Sequence, residues 1–175
     1  MAKSPVVWKL DPVLFGVIAA LLLLHVFNLP PWIAPVIILS IVWRGLHDWR
    51  NLALPNRLLT ILLMTAGLVA IFLGFGNVLG RDAGTALLTV AASLKLLETR
   101  QPRDAYTLLL LGFFLIITHF LFSQTPLMFL LMLGAMVGLV SAWIGLTAGT
   151  APPLPRQRLR SAIGIIAAGL PATII

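Results

Sequence analysis

Residues Gly80–Gln124 read GRDAGTALLTVAASLKLLETRQPRDAYTLLLLGFFLIITHFLFSQ, and this stretch decides the fold. Two apolar runs, Ala83–Leu97 and Ala105–Phe122, are joined by a short charged link, Glu98–Asp104. Each run is near the length a helix needs to cross a hydrocarbon core, about 20 residues. Pro102 lies in the link, where it suits the start of a second helix. The stretch also gathers Arg81, Asp82, Lys95, Glu98, Arg100, Arg103 and Asp104, in a chain with only 5 acidic and 12 basic residues. The other apolar runs read mostly as interchangeable apolar helices.

Working outward, the same pattern repeats. Helices are expected at about Pro12–Leu29, Trp32–Asp48, Asn56–Phe75, Asp82–Thr99 and Arg103–Ser123, and from Thr125-Pro126 to about Ala148. Asp11 is a good N-cap and Pro12 a good first helical residue. Pro30-Pro31 and Leu54-Pro55 break the chain between helices. The segment Ala151-Pro-Pro-Leu-Pro155 reads as an extended link, followed by Arg156, Arg158 and Arg160 and a last apolar run, Ser161–Ile175. As a helix that run rises only about 22 Å, short of a core near 30 Å, so a truncated seventh helix and a continuation past Ile175 are expected.

Composition agrees. The chain is 60% hydrophobic and 10% charged with a mean hydropathy of +1.06, whereas soluble domains carry roughly 25% charged residues. In lipid every backbone polar group must pair internally, which makes such runs helices. The alternating segments of a barrel are missing. The expectation is an all-α polytopic transmembrane bundle, with about six complete helices plus a truncated seventh, forming one membrane-embedded domain over residues 1–175.

Several functions are excluded on the same grounds. The net charge of +7 is scattered over short loops and forms no basic, aromatic-interleaved patch for nucleic acid. Having no cysteine, the chain offers no disulfide, thiolate metal site or cysteine nucleophile. The glycines of Gly74–Gly80 lack dinucleotide-loop spacing and follow no strand. Neither His25 nor His119 has a second ligand at i+3 or i+4, so no metal or other cofactor is expected. The first apolar run lacks a small-x-small cleavage site and reads as an uncleaved helix.

Alternating loops from a cytoplasmic N-terminus place every lysine and arginine inside except Arg81, and the inverse places them outside. The positive-inside rule selects the first arrangement, which sends the segment after Ile175 outward. On the inner side, Lys95 and Glu98 lie three apart on one helix face, and Arg44 and Asp48 lie four apart on another. With Arg100, Arg103 and Asp104 they form a candidate polar network, either a structural set of ion pairs or a proton or ligand site. Glu98 is expected to pair with Lys95 or Arg103. His25, Asn28, Asn77, Arg81, Asp82, His119 and Gln124 fall near the opposite helix ends, where His119 and Asp82 form a weaker candidate base–orienter pair. Gly134, Gly138, Ala142, Gly145 and Gly149 make a small-residue stripe on the sixth helix, suited to packing within the bundle or to homo-oligomerisation.

The pattern Gly80, Ala83-Gly84, Leu87-Leu88, Leu94-Lys-Leu-Leu-Glu98, Arg103-Asp104, Phe113-Phe114, Leu121 and Gln124 resembles the N-terminal membrane region of bacterial transglutaminase-like proteins of the TgpA type. The LKLLE segment followed by Arg103-Asp104 is its most distinctive part. The resemblance implies a bacterial inner-membrane protein whose bundle precedes a periplasmic transglutaminase-like domain with a Cys-His-Asp triad. It also implies protein-glutamine γ-glutamyl transfer and a cell-envelope role for the whole polypeptide. The triad has no counterpart here, so the expected role is a non-catalytic module that anchors, positions or regulates that domain. Its expected partners are the bilayer and the domain itself. The alternative is a small carrier or lipid-intermediate handling bundle, which a central cavity reaching Lys95 and Glu98 would favour; a membrane-embedded enzyme ranks third.

Overall fold

The computed structural model describes residues 9–50, 52–76, 80–148 and 153–169, and Asn77 and Gly149 lie outside them. Those residues form α1 (Pro12–Val26), α2 (Ile33–Arg50), α3 (Arg57–Phe75), α4 (Arg81–Glu98), α5 (Pro102–His119), α6 (Pro126–Thr147) and α7 (Pro155–Gly169), with no strand among them. Local chemistry sets the helix ends. Asp11 accepts from the Val13 N–H at 2.8 Å and Thr125 from the Met128 N–H at 3.4 Å, each satisfying an orphan donor of a first turn. Gly76 closes α3 at φ 66°, a left-handed cap that a side chain resists.

Three boundaries differ from the sequence expectation. α1 stops at Val26 rather than Leu29, because the chain turns at Asn28, whose N–H bonds to the His25 carbonyl, before Pro30. α5 stops at His119 rather than Ser123, its last residues tightening into i→i−3 bonds such as Phe122 N–H to the His119 carbonyl. α7 begins at Pro155, so Arg156, Arg158 and Arg160 belong to its first turns rather than to a link. Proline at the first position starts that helix, and the Arg158, Ala162 stripe gives it a buried face.

α4 is the hub, packing on α1, α2, α3 and α5. Its buried residues are small or hydroxylated on several sides, including Ala83, Thr85, Ala86, Thr89, Ala92 and Ser93. Ser93 and Thr85 return their hydroxyls to the carbonyls of Thr89 and Arg81, whereas the buried Thr89 hydroxyl has no partner among the described residues. α3 is the opposite case: it packs on α4 and leaves Leu58, Leu62, Phe72 and Leu73 exposed. Two described helices, Leu58–Phe75 and Pro126–Thr147, are long and apolar enough to cross a bilayer, and Pro12–Val26 is a shorter apolar helix. α4 misses that standard because Arg81, Asp82, Lys95 and Glu98 occupy its ends.

The small-residue stripe on α6 divides into separate contacts. Gly138 is buried where α1 crosses, and a Cβ there would collide with Val17. At Gly145 a Cβ would enter the space held by the Arg158 guanidinium, with Asp11 beside it. At Gly134 a Cβ would meet no neighbour within 4 Å, because the residue lines an open groove between α1 and α6. Gly112 of α5 is a close-approach glycine outside the stripe, its absent Cβ lying 2.8 Å from Ile18 Cδ1 and 3.0 Å from Leu139. Gly138→Leu should drive α1 from α6 and destabilise the protein by about 1–3 kcal/mol, the usual cost of overpacking. Thermal melting in detergent checks this, with Gly134→Leu as the silent control; equal melting of the two would place α1 elsewhere.

Candidate functional site

The α4–α5 elbow collects the polar network. α4 ends where Thr99 becomes extended, leaving carbonyls at a helix C-terminus with partial negative charge. Arg44 of α2, fully buried at 0% exposure, reaches them: its Nη1 donates to the carbonyls of Thr99 at 2.5 Å and Leu96 at 3.3 Å. Its Nε donates to Asp48 Oδ2 at 3.1 Å one turn along α2. Arg44 therefore ties two helices together and makes no bond to Glu98.

Past the elbow, the Asp104 carboxylate accepts from the backbone N–H groups of Arg100 and Gln101, both at 3.2 Å, organising the start of α5. Lys95 Nζ lies 3.3 Å from Glu98 Oε2 and 3.5 Å from Asp104 Oδ1, so one ammonium joins the end of α4 to the start of α5. Burial pushes the Asp104 carboxyl up, but those N–H bonds and the Lys95 charge outweigh it and hold its pKa below the usual carboxylate value. Glu98 thus pairs with Lys95, while Arg103 stands 84% exposed and 4.0 Å from Asp104. Arg100 turns the other way and donates from Nη2 to the Pro55 carbonyl at 2.6 Å, tying in the segment before α3. Between these walls lies a polar cleft of about 350 Å³ lined by Pro55, Thr60, Lys95, Glu98, Arg100, Gln101, Arg103 and Asp104. It sits at the end of the bundle.

At the other helix ends the expected residues separate. Arg81 Nε bonds to Asp82 Oδ1 at 3.1 Å on the surface, and its Nη1 donates to the Leu121 carbonyl at 3.3 Å. Gln124 is exposed. His119 is buried and neither ring nitrogen has a partner among the described residues, so His119 and Asp82 do not form a base–orienter pair. His119 packs instead edge-on against His25, with ring centroids 5.1 Å apart. His25 Nδ1 lies 2.8 Å from the Leu21 carbonyl, which assigns it the N–H and leaves Nε2 as an acceptor 3.4 Å from the Thr118 hydroxyl. A buried imidazole whose nitrogens have no partner is a stability cost. His119→Leu should therefore raise the melting midpoint, by about 1–3 kcal/mol of added stability; a lowered midpoint would show that His119 has a partner.

Sequence reasoning missed a second polar centre. Arg158 Nη1 of α7 donates to Asp11 Oδ2 at 2.5 Å, with both side chains largely buried. Asp11 thus caps α1 with one oxygen and holds α7 with the other. The signals available were the lone acid before Pro12 and the single arginine sharing a helical stripe with Ala162, but their pairing spans 147 residues of chain.

The protein is an all-helical assembly whose charged side chains cluster at helix ends and whose longest apolar helices have bilayer length. The TgpA N-terminal domain model matches residues 13–175, and the chain belongs to that family. A relative from Pseudomonas aeruginosa, described as a protein-glutamine gamma-glutamyltransferase, is 31% identical over 157 residues. The match covers 86% of this chain and 23% of that protein's length. No solved structure matches the chain.

Proposed function

We propose that these residues form a non-catalytic, multi-pass module of the bacterial inner membrane that anchors and positions a periplasmic transglutaminase-like domain of the same polypeptide. The observation carrying this reading is the family match over residues 13–175, set beside a γ-glutamyltransferase relative of which they span only 23%. The absence of cysteine from the sequence supports a catalytic centre elsewhere in the polypeptide.

Charge placement supports the membrane orientation. Contacts gather Lys9, Arg44, Lys95, Arg100 and Arg158 where α1, α5 and α7 begin and α2 and α4 end. Arg81 lies where α4 begins and α5 ends. In this reading the first group faces the cytoplasm. α4 and α5 cross with their charged ends snorkelling to the interfaces, where the cost of an ionisable group is lower than the roughly 2.5–3.5 kcal/mol of the bilayer centre. α7 then starts inside and leads outward, and the Asp11–Arg158 pair fixes its base.

The runner-up, a small carrier or lipid-intermediate handling bundle, calls for a central cavity reaching Lys95 and Glu98, whereas the cleft they line lies at the end of the bundle. Exchanging residues 1–175 of the full-length protein for an unrelated bundle of the same orientation separates the two. Anchoring predicts that the chimera restores transferase-dependent growth. A chimera that is membrane-inserted and active on a glutamine substrate in vitro, yet fails in cells, would contradict it.

A further inference from the structure

His25 and His119 meet from the ends of two different helices. His25 is the last residue but one of α1 and His119 the last of α5, and both side chains are buried. Their ring centroids stand 5.1 Å apart. The Nδ1–H of His25 is spent on the Leu21 carbonyl, so Nε2 carries the lone pair. Thr118 offers that nitrogen a hydroxyl at 3.4 Å, but its one proton has a closer acceptor in the Leu115 carbonyl at 3.1 Å. Neither ring nitrogen of His119 has a partner among the described residues. Each neutral ring therefore keeps one nitrogen lone pair for a ligand.

We propose that the two rings bind one soft monovalent metal ion, copper(I), through His25 Nε2 and a ring nitrogen of His119. Neither histidine has a second ligand on its own helix, and the fold supplies it from the other. With metal–nitrogen bonds of about 2.0–2.1 Å, two imidazoles on one ion have centroids roughly 5–6.5 Å apart, from tetrahedral to linear angles. The observed separation lies within that range. A bond from the other ring nitrogen to a backbone carbonyl, as His25 makes, is what fixes the tautomer and orientation of metal-binding histidines. Charge then selects the valence of the ion. Asp11 holds Arg158, Asp48 holds Arg44, Asp82 lies against Arg81, and Glu98 and Asp104 share Lys95. Those are all 5 acidic residues of the chain, so no carboxylate is left to neutralise a buried dication. A single positive charge is offset by the carbonyl ends of α1 and α5, which both terminate at the pair. No third histidine or carboxylate joins the two among the described residues. Copper(I), with its filled d shell, is satisfied by two nitrogen donors, whereas zinc takes four ligands. The site is independent of the anchoring role.

The full-length protein is purified in mild detergent, stripped of metal with a chelator, and its thiols are blocked by alkylation. Copper(I) is then delivered without oxygen from a chromophoric chelator of known affinity, with zinc(II) titrated in parallel. The wild type should take up one equivalent of copper(I) more than either His25→Leu or His119→Leu, and its thermal midpoint should rise as it does so. Each substitution should weaken binding by about a hundredfold or more, since even the supports of a metal-bound histidine are worth roughly 10–100-fold. His119→Leu relieves a buried unpartnered group and folds, so the comparison stands even where His25→Leu does not fold. X-ray absorption at the copper edge should show nitrogen neighbours in the wild type. Absence of copper(I) uptake, uptake that survives both substitutions, tighter binding of zinc(II), or sulfur neighbours at the edge would each overturn the assignment. A midpoint that rises on acidification but not with copper(I) would give the pair to a proton and overturn it likewise.

Discussion

Arg158→Ala should destabilise the protein more than any other single truncation, by about 3–5 kcal/mol, because it strands a buried carboxylate. Asp11 would keep its bond to the Val13 N–H but lose the cation that offsets its burial. It would also lose the group filling the space above Gly145. Asp11→Ala alone should cost nearly as much, since it removes a helix cap and leaves the guanidinium unpaired. The double variant should be less destabilised than the two singles together, with coupling above about 1 kcal/mol. Melting of the four proteins in one detergent checks the cycle. Strict additivity would mean that α7 does not dock on the start of α1. Arg158→Lys should rescue only in part, because a single ammonium does not replace the guanidinium lying over Gly145.

Arg44→Ala comes second in size. It removes the donors that satisfy the Leu96 and Thr99 carbonyls at the end of α4 and leaves Asp48 without its cation. A loss of about 3 kcal/mol or more is expected from breaking such a buried charged network. Arg44→Leu should do little better, because the orphaned carbonyls remain whatever apolar group fills the space. The local signature is faster amide exchange over Leu94–Thr99 with α6 unchanged. If α4 and α6 loosen together, Arg44 acts on the whole bundle and not on that helix end.

Much of this fold was legible because the helices are delimited by residues with one strong preference. Pro12, Pro102, Pro126 and Asp11 mark starts, and Pro30-Pro31 and Gly76 mark stops, by mechanisms that need no tertiary information. α7 was misjudged for a complementary reason. Its arginines look like a solvated segment, and only the acid of α1 makes one of them a buried residue. The elbow network was legible in part: Lys95–Glu98 and Arg44–Asp48 are within-helix spacings. The Arg44 bonds to the Thr99 carbonyl and the Arg100 bond to Pro55 cross between elements, and nothing in the one-dimensional pattern encodes them. The His25–His119 pair was hidden likewise, since 93 residues separate Thr118 from His25. The glycine stripe shows the limit of spacing as evidence. Gly138 and Gly145 face different neighbours and Gly134 faces none, so a regular repeat on one helix marked two unrelated contacts.

The central claim is that this bundle delivers the polypeptide beyond Ile175 to the periplasmic side. Its most direct measurement is a pair of reporter fusions to the full-length protein just after the seventh helix, one active only in the periplasm and one only in the cytoplasm. The account predicts periplasmic activity there and cytoplasmic activity for a matching pair placed in the α4–α5 link. Cytoplasmic activity after the seventh helix would contradict both the orientation and the anchoring role.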